Sequence, residues 1–123
     1  MSRNFVRAVL AVALAAMTAF ASACGSSEDP PADAKKLAFE LTDDGCIPHN
    51  AKAPAGGVVF EVENTGTSKV TEFEVLDGEE IIGEKEDLTD GLSGEFSLDL
   101  DAGKYTIYCP GGTTERGTLT VSG

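Results

Sequence analysis

The sequence is poor in the residues that most catalytic and metal sites draw on. It holds one histidine, His49, no tryptophan, and two methionines, Met1 and Met17, both close to the N-terminus. A single imidazole leaves little for a nucleophile–base pair. Neither a phosphate-cradling glycine loop nor a Cys-x-x-Cys pair of zinc spacing is present. No enzymatic activity is therefore expected. A copper site made of two histidines, a cysteine and a weak axial methionine is excluded on the same count. Positive charge is scarce too: nine Lys and Arg stand against 21 Asp and Glu, for a net charge of −12. Such a chain repels phosphate backbones and anionic lipid headgroups, so nucleic acid is not an expected partner and cations are. Apolar runs are short. The longest apolar stretch, Ala8 to Phe20, falls below the roughly 20 residues that cross a bilayer as a helix.

What that stretch does have is the setting of a secretory leader. Arg3 and Arg7 precede it and Ala21-Ser22-Ala23 follows it, with Cys24 next. A basic start, a short apolar segment and small residues at the end form a cleaved signal over residues 1–23. Ala-Ser-Ala-Cys resembles a bacterial lipobox, although Ala21 stands where a larger aliphatic residue is usual. The three cysteines, Cys24, Cys46 and Cys109, leave an odd one in an exported protein. Lipidation of Cys24 removes it and leaves Cys46 and Cys109 as a pair. The expected location is thus extracytoplasmic, with the membrane reached through the N-terminal lipid alone. Residues 24–35 are small, polar and acidic with Pro30-Pro31, the composition of a flexible tether.

From Lys36 onward the pattern has period two. Leu37, Phe39 and Leu41 alternate with Ala38, Glu40 and Thr42. Similar alternation recurs around Phe60, Phe73, Phe96, Ile107 and Leu119, with Glu80 to Gly83 as a weaker candidate. This predicts strands with one buried and one wet face. Asp44-Gly45, Gly56-Gly57, Asn64-Thr65-Gly66, Asp77-Gly78, Asp90-Gly91 and Gly111-Gly112 punctuate them as turns. About seven short strands in residues 36–123 predict an all-β, antiparallel sandwich of Greek-key type. At most a single helical turn is expected, around Glu86 to Asp90. A domain this small gains from a disulfide or a bound metal.

Several pieces in order carry a family resemblance: Gly45-Cys-x-Pro48, Pro54-Ala-Gly56, Phe60-x-Val-x-Asn-x-Gly66, Glu72-Phe-Glu-Val-Leu76, Glu84-Lys-Glu86, Gly91-Leu-Ser93, Ala102-Gly-Lys-Tyr-x-Ile-x-Cys109 and Arg116-Gly-x-Leu-x-Val121. From Asp44 to Gly123 the chain resembles the cupredoxin-like domain of EfeO-type iron-uptake lipoproteins. Those proteins usually continue into a helical domain of the imelysin class. The sequence stops at Gly123, so that domain's activity is not expected of it. The resemblance implies a cupredoxin-like sandwich and an iron or copper ion as ligand. It would bring Cys46, Glu72 and Cys109 together at one pole as metal ligands. Glu74, Glu86 and His49 are weaker candidates, and an iron permease or another membrane uptake component is the implied partner. Glu72 and Glu74 share a strand face by period two, which makes a paired-carboxylate surface feasible.

Other readings stay open. Cys46 and Cys109 either hold a metal as thiolates or form a disulfide, the common fate of a cysteine pair in a small exported domain. With a permanent disulfide the domain reads as a structural or protein-interaction module without metal. A copper electron carrier on a non-standard ligand set is a third reading.

Overall fold

The computed structural model describes residues 32–123; the expected signal over residues 1–23, the lipidation candidate Cys24 and most of the expected tether lie outside the described residues. Nine strands follow one another: β1 (Lys35–Thr42), β2 (Gly45–Ile47), β3 (Ala51–Pro54), β4 (Gly56–Asn64), β5 (Phe73–Asp77), β6 (Glu80–Lys85), β7 (Ser93–Leu100), β8 (Gly103–Tyr108) and β9 (Arg116–Ser122). They form two sheets, one in the order β2-β1-β4-β7 and one in the order β3-β9-β8-β5-β6. Among the described residues no helix is long and apolar enough to cross a membrane.

The core lies between the sheets and is built from the period-two residues. Phe39 and Leu41 of β1, Val58, Phe60 and Val62 of β4, Phe73 and Val75 of β5, Ile107 of β8 and Leu119 and Val121 of β9 all point inward and are buried. Four rings form its centre: the Phe39–Phe73 and Phe60–Phe96 centroids lie 4.8 and 5.0 Å apart, within the range where aromatic pairs attract.

The all-β sandwich agrees with the sequence; several details do not. There are nine strands rather than about seven, because two short stretches, one around Cys46 and one before Gly56, supply β2 and β3. The sandwich is not purely antiparallel. β1 runs parallel to β4 and β3 runs parallel to β9. The single helical turn around Glu86 to Asp90 is absent. Asp87 takes a left-handed backbone with φ of 55°, and the segment turns through Thr89 N–H to Asp87 O and Leu92 N–H to Thr89 O bonds. Finally, β5 has no wet face: Glu74 is 7 % and Leu76 3 % exposed.

Candidate metal centre

β5 lies between β6 and β8, so its outward residues are flanked on both sides. Glu74 pairs with Glu84 of β6 and with Tyr108 of β8, and these neighbours cover it. A β-bulge next to this pair determines what Glu74 faces. Val75 is opposite Gly83 but Leu76 is opposite Ile81, so Ile82 is the additional residue. Strict alternation from the outward Ile81 would turn Glu84 inward; the extra residue turns it out, beside Glu74. Gly83 then faces inward where no side chain fits: a Cβ there would stand 2.6 Å from the Phe96 ring.

Asn64 sets the two chain segments that flank this point. It is fully buried. Its side-chain N–H groups donate to Thr67 O at 2.9 Å and Leu88 O at 2.7 Å. Its Oδ1 accepts the N–H groups of Gly66 and Thr67, both at 3.0 Å. The backbone bonds from Leu88 N–H to Thr71 O and from Gly91 N–H to Asn64 O join the same segments. One leads into Glu72 and β5, the other leaves β6 through Glu86.

The outcome is a group of carboxylates. Glu72, half-buried, Glu74, buried, and Glu84, exposed, place ligand oxygens within 4.8 Å of one another. Burial pushes the Glu74 carboxyl up to about 7, assisted by a hydrogen bond with Glu72 and by the charges of Glu72, Glu84 and Glu86. The exposed Glu86 carboxyl is also raised, chiefly by Glu84 and then Glu72. No cation relieves this crowding. Among the described residues the ion pairs are Lys36–Glu61 at 3.4 Å and Lys69–Asp43 at 3.9 Å, both elsewhere. Lys85, between Glu84 and Glu86, pairs with the inward Phe73 and lays its stem over Gly94.

Cys46 and Cys109 do meet, but as a disulfide, with Cα atoms 5.9 Å apart. Joined sulfurs offer no thiolate, so the ligand set Cys46, Glu72 and Cys109 is not the one the fold assembles. The disulfide is buried, with Cys46 2 % and Cys109 1 % exposed. Glu72 is grouped instead with Glu74 and Glu84. His49, half-buried, sits against Gly45 and Gly117 and belongs to no group of potential ligands among the described residues. Glu84 was not foreseen as a ligand. Period two cannot register a bulge, and the sole pointer was its place in the Glu84-Lys-Glu86 motif. Oxygen donors alone, three or four of them, suit hard cations.

Comparison with known proteins agrees with this architecture. The model of the cupredoxin-like domain family matches residues 9–121. The iron uptake system component EfeO of Escherichia coli O6:K15:H31 is 32 % identical over 100 % of this chain, and that of Escherichia coli K12 is 31 % identical. The chain spans about a third of the length of these relatives, 31 % in both cases. Among solved structures, auracyanin B matches with a TM-score of 0.66 at 16 % identity, covering 78 % of this chain and 92 % of that one. Auracyanin from Roseiflexus castenholzii matches at 0.59 and 16 % identity, covering 73 % and 98 %. A family model spanning nearly the whole sequence, on a two-sheet sandwich of the same shape, places the chain in the cupredoxin-like domain family, alongside the corresponding part of EfeO.

Proposed function

We propose that this is an extracytoplasmic metal-binding accessory protein that takes a hard cation, iron above all, on Glu72, Glu74 and Glu84, with Glu86 at the rim. The observation that carries the reading is Glu74: a carboxylate 7 % exposed, held against three others with no cation beside it. Burial of like charges is costly unless a proton or a metal ion offsets it. An incoming cation replaces the shared proton and turns the repulsion into attraction. The relatives' description as an iron uptake system component supports iron as cargo and a membrane permease as recipient. No step in this role is catalytic. Anchoring by a lipid on Cys24 would hold the domain at the outer face of the membrane.

The test is calorimetric titration of the purified protein with ferric and ferrous iron. One ion should bind per chain. Glu74→Gln and the triple change Glu72→Gln, Glu74→Gln, Glu84→Gln should weaken binding by roughly tenfold and more than a hundredfold, in line with the effects of altering metal sites. Equal affinity in the parent and the triple variant would remove the proposal.

The disulfide favours a second reading, a stapled interaction module without metal. It predicts no ion uptake and two thiols unreactive to alkylation. Copper electron transfer is the least supported reading, since the joined sulfurs and the scarcity of histidine leave it without soft or imidazole ligands.

A further inference from the structure

The outer face of the second sheet is divided by charge. Strands β3, β9 and β8, which form one side of it, hold no Asp or Glu. Their outward positions alternate with buried residues such as Ala53, Ile107 and Leu119, and carry Lys52, Lys104 and Arg116. These three cations are exposed. Among the described residues the ion pairs are Lys36–Glu61 and Lys69–Asp43, so none of the three is in one. On the other side, β5 and β6 present Glu74 and Glu84 and are joined by the acidic turn Asp77-Gly78-Glu79-Glu80. Solubility asks for no such segregation on a chain of net charge −12.

β8 is the middle strand of the five, so each row across the sheet can be counted outward from it. In the row of Tyr108, Arg116 lies one strand to one side and Glu74 one strand to the other. In the row of Thr106, Leu76 and then Ile81 lie on one side. Thr118 lies on the other, followed by Asn50, whose side chain accepts the Thr118 N–H at 2.9 Å. Ile81 is apolar yet 47 % exposed. Asn50, Ala51, Lys52, Thr118 and Thr120 line a shallow depression. Lys52 shares a row with Thr120 and Lys104. Leu76 pairs with Thr106, so the turn after β5 stands level with that row.

We infer that this face pairs with the same face of a second copy, about a two-fold axis running along β8. Such an axis lays β9 of one copy over β5 of the other and β3 over β6, each contact occurring twice. Arg116 then meets the carboxylates of Glu74 and Glu84, Lys52 meets the turn at Glu79, and Ile81 enters the depression beside Asn50. An axis across the strands would instead set like charges against each other, which is costly. Stacked sheets keep their strands near alignment, as this axis requires. A face of five short strands makes a small, reversible contact. The inference concerns a protein partner and does not need the metal-binding reading.

Sedimentation equilibrium of the purified protein, with a chelator present and between roughly 1 and 500 µM, tests it. The mean mass should rise with concentration from one chain toward two. Lys52→Glu with Arg116→Glu makes the face predominantly acidic, and Glu79→Lys with Glu84→Lys makes it predominantly basic. Each variant, checked as folded by its thermal melt, should remain single across the range. Mixed in equal amounts they should pair, because the axis sets the changed side of each on the changed side of the other. Ile81→Asp should weaken pairing at least about tenfold. A parent that stays single at every concentration overturns the proposal and leaves the face to an acidic partner of another kind. Folded variants that pair as the parent does, or that fail to pair when mixed, overturn it too. Iron titration is a separate readout, so either proposal can fail alone.

Discussion

Two corners of this domain sit at neighbouring residues of one strand end and meet opposite requirements. Cys109 and Tyr108 are adjacent in the chain but face opposite sides of the sheet. On the inner side the disulfide with Cys46 is neutral, buried and complete. On the outer side Glu74 is buried as well, yet what surrounds it is more negative charge. The first corner holds the fold together. The second works against it until something positive arrives. Small domains have little stability to spare, so a strained acidic corner is tolerable where a covalent bridge secures the layer behind it.

The contrast can be broken most forcefully at the bridge. Cys46 and Cys109 are 63 residues apart. Cys46→Ser with Cys109→Ser should cost about 4 kcal/mol, the loop-closure constraint of a ring of that size, measured as a shift in the denaturant midpoint. Iron uptake by the folded fraction should persist. Its loss would mean that the two corners form one site after all.

Asn64 comes next, because it clamps the segments that deliver Glu72 and Glu86. Asn64→Ala leaves several buried backbone groups without partners and should cost roughly 3 kcal/mol. Calorimetry should show the iron affinity falling with it, while the disulfide remains formed by alkylation and mass measurement.

The finest comparison uses Glu74 and pH. Its folded-state value of about 7 lies above the ordinary carboxyl value of 4.5. Below pH 4.5 both the folded and unfolded forms carry the proton and nothing is lost. Between 4.5 and 7 the unfolded chain gives its proton up while the folded one keeps it, so this group's contribution to stability falls as pH rises. Above 7 the penalty is complete, at roughly 3 kcal/mol or less. Glu74→Gln should therefore melt with the parent at pH 4 and progressively above it from pH 5 to 8. Iron affinity of the parent should rise over the same interval, since the ion displaces that proton. Parallel melting curves across the whole range would mean that Glu74 is ionised in both states.

The sequence revealed the sandwich well because the inner face of each long strand is fixed by alternation: Phe39, Phe60, Phe73, Ile107 and Leu119 all lie where period two places them. It revealed the carboxylate site less well. Glu72, Glu74 and Glu86 could be singled out, but nothing in alternation shows that β5 is roofed on both sides, which depends on strand order. Nor does it show that Glu84 joins them, which depends on one unpaired residue in the partner strand. The expected union of Glu72 with the cysteines failed for a related reason. Both sulfurs are buried in the core, where they satisfy each other.

Ile82 offers no donor atom, yet the bulge it makes decides whether Glu84 belongs to the outside or the inside of the protein. The grouping of the carboxylates is thus set partly by strand pairing. Without the bulge, pairing continued from Leu76 and Ile81 would put Ile82 opposite Val75, Gly83 opposite Glu74 and Glu84 opposite the inward Phe73. A slip of one residue in strand pairing would therefore disperse the carboxylates while leaving every one of them in the sequence.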